Sequence, residues 1–120
     1  MFVAVTYGLA VVLDLFILFI GARFVLQPVP SAAGYGVPAP PGAYLGVKGV
    51  RDATYGVLGL ALLAFAGSRP AAWFMLVVAL VPLGDTVIVL RNGGTRAVAF
   101  GIHFATALVV LLSSALLFLV

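Results

Sequence analysis

The residues best suited to chemistry in this chain are its three acids, and all three lie inside long apolar stretches. Asp14, Asp52 and Asp85 are flanked by runs rich in Val, Leu, Ile and Ala. An ionisable group at membrane depth costs about 2.5 kcal/mol or more, so it normally faces a protein interior and is paired or wetted. Positioned carboxyl groups are common acid–base catalysts. We therefore take Asp14, Asp52 and Asp85 as candidate catalytic residues.

Basic and hydroxyl side chains accompany one of these acids at helical spacing. Lys48, Arg51, Asp52 and Tyr55 fall at i, i+3, i+4 and i+7, which places them on one helix face. Lysine and arginine beside a carboxylate can hold a ligand carboxylate, phosphate or enolate. Lys48, Arg51 and Tyr55 are therefore candidate ligand-binding residues, and Tyr55 could also donate a proton.

Two further residues share a helix face with polar groups. Tyr7 lies seven residues before Asp14 and is a fourth candidate ligand-binding residue. His103, a candidate catalytic proton donor or relay, belongs to a stripe formed by Arg96, His103, Thr106, Val110 and Ser114. A lone histidine on such a stripe is more often an interhelical hydrogen-bonding residue, so both interpretations stay open.

A purely structural interpretation of the charges is the main alternative. Lys48 with Asp52, and Arg51 with Asp14 or Asp85, would form ion pairs that lock a helix bundle. Such buried pairs often add little net stability after desolvation. The second apolar run also carries five glycines, which let membrane helices approach closely; they are Gly42, Gly46, Gly49, Gly56 and Gly59. Gly59 shares the face of Lys48 and could instead leave room for a ligand.

The composition requires lipid as the solvent for the elements that carry these residues. Hydrophobic residues make up 65% of the 120 residues and charged residues 8%, against about 25% charged in ordinary domains. Four continuous apolar runs approach the roughly 20 residues that a membrane helix needs. They cover about residues 3–23, 43–66, 71–90 and 97–120. Continuous rather than alternating hydrophobicity favours helices over a β-barrel. The sequence predicts an all-α, single-domain integral membrane bundle of four transmembrane helices.

The segments between the runs predict how the bundle is oriented. A Pro/Gly-rich connector at 26–42 excludes one continuous helix there, and Pro82 predicts a kink in the third span. The first run is too long, and lacks the basic start, for a cleaved signal peptide. Arg69 alone marks one side, whereas Arg23, Arg91 and Arg96 mark the other. The positive-inside rule then places both termini outside a plasma (inner) membrane.

Several classes of function are excluded by what the sequence lacks. There is no cysteine for a disulfide or thiolate. One histidine with dispersed aspartates lacks any recognised metal-ligand spacing, so no metal is expected. No Walker or dinucleotide glycine pattern occurs, and no cofactor is expected. The scattered basic residues do not form a nucleic-acid footprint. The expected partners are the lipid bilayer and a small lipophilic molecule, and homo-oligomerisation is left open.

Four motifs resemble those of a known family of small membrane proteins. They are G-x-R-x-x-x-x-P at 21–28, K-G-x-R-D at 48–52, P-x-G-D at 82–85 and the segment AFGIHFATA around His103. Together they resemble domain-of-unknown-function family four-two-six-seven over nearly the whole chain. The resemblance implies a four-helix membrane protein and carries no settled function.

A weaker likeness connects the chain with the small multidrug-resistance transporters. These proteins also have four helices, and they carry a lone acid midway along the first helix, where Asp14 stands here. Their acid is a glutamate, however, and they have few other membrane charges and no Pro/Gly-rich connector. Lys48, Arg51, Asp52 and Asp85 all depart from that plan.

Three hypotheses about function follow from these residues. The first is a polar intramembrane pocket that binds a small lipophilic molecule and converts it by acid–base chemistry such as isomerisation, cyclisation or epoxide opening. The second is proton-coupled transport, in which Asp14 or Asp85 exchanges a proton for the substrate. The third is a structural or partner-binding membrane subunit whose charges pair internally or with another protein.

Overall fold

The fold is a bundle of four long helices with a short fifth helix in the first connector. A computed structural model describes residues 1–40 and 42–120, and no β-strand occurs in those residues. The helices are α1 (Phe2–Leu26), α2 (Pro28–Tyr35), α3 (Tyr44–Ala66), α4 (Ser68–Arg91) and α5 (Arg96–Leu119). All except α2 are long and apolar enough to cross a membrane. The prediction of an all-α bundle with four membrane spans is confirmed.

The outer surface of the bundle is apolar along the four long helices. Side chains such as Val12, Phe19, Val77 and Leu112 point outward and are more than half exposed. Such a surface is unfavourable in water and matches the hydrocarbon of a bilayer, while helices satisfy their own backbone groups in lipid. The protein is therefore an integral membrane protein.

Helices α1 and α3 pack backbone against backbone. A Cβ added to Gly49 would lie 2.6 Å from the carbonyl oxygen of Gly21, and one added to Gly56 would lie 2.5 Å from that of Asp14. Only glycine permits this approach. The expected packing role of the α3 glycines therefore applies to Gly49, Gly56 and Gly59, whereas Gly42 and Gly46 face open space.

Helices α4 and α5 form a second pair built on small side chains. Ala71, Ala72 and Ala107 are buried, and Ser114 Oγ donates a hydrogen bond to the Ala72 carbonyl oxygen at 2.8 Å. Ala10 of α1 joins Ala71 and Ala72 in the same apolar core. This core fills the half of the bundle nearer the chain termini, which we call the terminal end.

Three helices depart from regular α geometry. Helix α3 ends in a π-helical turn over Leu62–Ala66. Helix α4 is interrupted at Ala79, three residues before Pro82, whose ring lacks the N–H that would bond to the Val78 carbonyl. The interruption lies beside Pro82, where the sequence predicts a kink. Helix α5 widens into a π-helical turn over Ala99–Phe104, which contains His103, and such turns are frequent at functional sites.

The first connector is partly helical, which the sequence analysis did not anticipate. Pro28 occupies the first turn of α2, where its missing N–H costs nothing. The helix ends at Gly36, whose φ of 87° is the left-handed conformation of a glycine C-cap. Ala32 of α2 packs with Phe24 and Leu45 in a second apolar core. We call this half of the bundle the connector end.

Candidate functional site

An ion pair at the connector end is the most polar contact in the bundle. Lys48 Nζ lies 2.6 Å from Asp52 Oδ2, one helical turn further along α3. The same ammonium lies 4.2 Å from the ring centroids of both Phe24 and Tyr35, within the range of cation–π attraction. The aromatic rings therefore shield the pair from water, and Lys48 is bound to three partners at once.

Tyr35, at the end of α2, links this pair to the acid of α4. Its hydroxyl donates a hydrogen bond to Asp85 Oδ2. Burial raises the pKa of Tyr35, and the neighbouring Asp85 carboxylate raises it further. The hydroxyl therefore stays protonated and can act only as the donor in this bond.

His103, on α5, also contacts Tyr35. Its Nε2 lies 2.8 Å from the Tyr35 carbonyl oxygen, and because a carbonyl only accepts, Nε2 carries the proton. The two rings also contact each other, with centroids 4.3 Å apart. His103 is 3% exposed. This contact agrees with the interhelical hydrogen-bonding interpretation of His103, which ties α5 to the connector.

A cavity of about 290 Å³ lies beside this cluster and extends toward the membrane centre. Its walls are mostly aliphatic and aromatic. Its polar lining residues are Asp14, Arg23, Ser31, Tyr35, Tyr55, Asp85, His103 and Thr106. Phe16, Phe19 and Ile102 line it and are also exposed on the outer surface, so the cavity borders the lipid. We call it the inner cavity.

Two buried polar atoms of the inner cavity have no hydrogen-bond partner in the described part of the chain. Asp14 is 2% exposed, and its Oδ2 is one of these atoms. The second is Ser31 Oγ of α2. On its other side the Asp14 carboxylate packs against Gly59, where any added Cβ would overlap with it. Gly59 thus makes room for the Asp14 side chain, rather than directly for a ligand.

A second cavity, of about 460 Å³, lies at the connector end and is lined by the charged face of α3. Lys48, Arg51 and Asp52 line it, together with connector residues such as Pro38. We call it the connector cavity. The two cavities share lining residues, namely Tyr35, Tyr55, Val81 and Asp85. The hydrogen-bonded Tyr35 and Asp85 therefore lie in the wall between an apolar compartment and a polar one.

The structure distributes the predicted site residues over these two cavities. Asp14 and His103 line the inner cavity, Lys48, Arg51 and Asp52 line the connector cavity, and Tyr55 and Asp85 line both. Tyr7 is half-buried and lines neither of them. The polar residues thus form two compartments instead of one shared pocket.

One predicted ion pair is present and the other is not. Lys48 and Asp52 pair as expected. The expectation that Arg51 pairs with Asp14 or Asp85 is wrong for the described residues, because the Arg51 side chain is exposed while Asp14 is enclosed between α1 and α3.

Tyr35 is the functional candidate that sequence reasoning missed. It contacts Phe24, Lys48, Asp85 and His103, more of the cluster than any predicted residue does. Its position in a Pro/Gly-rich connector suggested a loop residue. The signal in the sequence that could have identified Tyr35 was a large aromatic residue between two glycines, Gly34 and Gly36. Gly36 forms the left-handed C-cap of α2, a conformation that glycine adopts easily.

The arrangement favours acid–base and polar binding chemistry. The Asp14 carboxyl group has an oxygen, Oδ2, without a hydrogen-bond partner among the described residues, whereas the Asp85 carboxyl group already accepts a hydrogen bond from Tyr35. Within residues 1–40 and 42–120, no three His, Asp or Glu side chains are grouped as metal ligands.

The comparisons with known proteins assign the chain to a family. Residues 15–117 match the family described as Domain of unknown function (DUF4267). The chain belongs to this family. The matched region contains Asp52, Asp85 and His103 and begins one residue after Asp14. The chain matches no curated protein and no solved structure.

Proposed function

We propose that this DUF4267 protein binds a small lipophilic molecule with a polar group in the inner cavity. The observation that carries the proposal is that two residues lining a mostly apolar cavity, Asp14 and Ser31, each have a buried polar atom, Oδ2 and Oγ, without a partner among the described residues. Buried polar groups nearly always have a partner. A molecule with an apolar body and a polar group would supply what these atoms lack.

Size and access support the same proposal. A volume of about 290 Å³ lies close to the lower end of the roughly 300–1,000 Å³ that ligand pockets occupy. Along α1 the lining residues extend from Leu13 to Phe24, a rise of about 16 Å at 1.5 Å per residue. The cavity therefore suits a small, elongated molecule. Its exposed rim of Phe16, Phe19 and Ile102 allows entry from the bilayer.

The test is a binding measurement with a neutral probe and a pair of matched variants. The purified protein in nanodiscs of zwitterionic lipid is titrated with 4-phenyl-1-butanol. Val78→Phe places a ring in the cavity, whereas Val77→Phe places the same ring on the lipid-facing surface. We expect the wild type and Val77→Phe to bind equally and Val78→Phe to bind at least tenfold more weakly. Equal binding by all three proteins would contradict the proposal.

Conversion of the bound molecule is the second step of the proposal. Asp14 and Asp85 line the same cavity, and Tyr35 donates to Asp85, so the site holds two carboxyl groups in different environments. Such pairs divide acid and base roles between them. Isomerisation, cyclisation or epoxide opening would use this chemistry. If the enzyme opens epoxides, hydrolysis of the epoxide of 4-phenyl-1-butene to its diol should stop in Asp14→Ala and in Asp85→Ala.

The distribution of the core favours binding over proton-coupled transport or a purely structural role. The terminal end is filled by the core around Ala10, Ala72 and Met75, which separates the inner cavity from that side of the membrane. A structural role explains the Lys48–Asp52 pair but does not explain why Asp14 is buried with an oxygen that has no partner among the described residues. Uptake driven by a pH gradient in proteoliposomes would favour transport, and a stoichiometric co-purifying protein would favour a partner-binding subunit.

The orientation in the membrane is part of the same proposal. Arg23, Arg91 and Arg96 lie at the connector end and Arg69 at the terminal end, so the positive-inside rule places the connector in the cytoplasm of a plasma (inner) membrane. Because the chain has no cysteine, single-cysteine labelling is direct. An impermeant thiol reagent added to intact cells should label Ser68→Cys and spare Ala39→Cys.

A further inference from the structure

The charges inside the bundle do not balance, and the imbalance lies at the inner cavity. Three acids lie within the spans, and Lys48 is the ammonium that pairs with one of them, Asp52. Asp85 accepts from a neutral phenol, and Asp14 has no partner among the described residues. The inner cavity is therefore lined by two carboxyl groups, those of Asp14 and Asp85, that form no ion pair with a cation of the described residues.

The cations nearest to the inner cavity do not correct this imbalance. Arg23 lines the cavity but is exposed at its edge, nine residues along α1 from Asp14, which is a rise of about 14 Å. Lys48 is held on the far side of Tyr35 by Asp52 and two rings. His103 donates to the Tyr35 carbonyl. Asp14 is thus the carboxyl group whose partner is left to the ligand.

We propose that the molecule bound in the inner cavity is a small lipophilic amine, held as its ammonium ion with the nitrogen at Asp14. The inference rests on the proposed function and deepens it. A buried carboxylate is strongly favoured by a directly bound cation, which forms a charge-assisted hydrogen bond in a medium of low polarity. The apolar walls then contact the hydrocarbon part of the amine. Four of the lining residues, Phe16, Phe19, Phe24 and Phe74, supply aromatic surface for it.

The test compares two probes of nearly identical shape, 4-phenylbutylamine and 4-phenyl-1-butanol, at neutral pH in nanodiscs of zwitterionic lipid. We expect the wild type to bind the amine at least tenfold more tightly than the alcohol. Asp14→Asn keeps the shape of the side chain and removes its charge, so it should abolish this preference. Undiminished alcohol binding in the same variant shows that the cavity remains intact.

A matched control is available on the same helix. Thr6 is fully buried, its Oγ1 also has no partner among the described residues, and it lies outside the inner cavity. Thr6→Val should leave the preference for the amine unchanged. Equal affinity of the wild type for amine and alcohol, or an amine preference that survives Asp14→Asn, would overturn the amine assignment and leave the lipophilic site standing. Failure of both probes to bind would count against the site itself.

Discussion

Replacing Gly59 by alanine should destabilise the protein through one contact, that with Asp14. A Cβ at position 59 would overlap with the Asp14 carboxylate and lie 2.7 Å from its Oδ2. Asp14 is 2% exposed, and the space open to its side chain lies on the side of the inner cavity. Overpacking of this kind costs about 1–3 kcal/mol, and alanine recovers roughly 1 kcal/mol of helix propensity. We expect a net loss of up to about 2 kcal/mol in the free energy of unfolding.

The contact between Gly59 and Asp14 predicts an energetic coupling between the two positions that can be measured directly. In an Asp14→Ala background the overlap is gone, so Gly59→Ala should become neutral or stabilise by roughly 0.5–1 kcal/mol. Gly46→Ala, on the same helix with no atom near its added Cβ, should also be neutral or stabilising. Equilibrium unfolding by SDS in mixed micelles gives the free energies of the wild type, the two single variants, the double variant and Gly46→Ala. An equal cost of Gly59→Ala with and without the Asp14 carboxylate would refute the assigned contact.

Two further substitutions probe the cluster at the connector end by the same unfolding assay. Lys48→Met leaves the buried Asp52 carboxylate unpaired and should cost about 3 kcal/mol or more in the free energy of unfolding. Combining Lys48→Met with Asp52→Leu should recover most of that loss. A double variant as unstable as the single one would contradict this expectation. Tyr35→Phe keeps both ring contacts and removes the hydrogen bond to Asp85, so it should cost about 1–3 kcal/mol; a neutral effect would mean that water or another donor satisfies Asp85 equally well.

The fold could be predicted from sequence because lipid imposes simple constraints on it. A membrane helix needs a continuous apolar run of known length, and the chain contains four such runs separated by Pro, Gly and Arg. The interruption of α4 at Ala79 lies beside Pro82, where a kink was predicted for an equally local reason. The short helix α2 escaped prediction because Pro28 and Pro30 suggest a loop, although both prolines fit the first turn of a helix.

The site could be predicted only in part, because residue spacing shows which side chains share a helix face but not which residues of other helices they contact. The i, i+4 spacing of Lys48 and Asp52 was sufficient to predict their ion pair. The partner of Asp85 came from Tyr35, fifty residues earlier in the chain, and no local pattern encodes such a contact. Two compartments arise where one was expected because Tyr35 inserts between them.

The three acids differ in how well they are satisfied, and the order of that difference argues for function. Asp52, eight residues from the start of α3, has a lysine partner, and Asp85, six residues from the end of α4, has a tyrosine hydroxyl. Asp14 is the middle residue of α1, and its Oδ2 has no partner among the described residues. The cost of an ionisable group rises toward the membrane centre. Selection for stability alone would leave the best partner at the deepest position, whereas the deepest of the three acids, Asp14, is the one whose Oδ2 has no partner among the described residues. A carboxyl group kept deep, enclosed by Gly59 and left without a protein partner is the arrangement expected where a bound molecule completes the site.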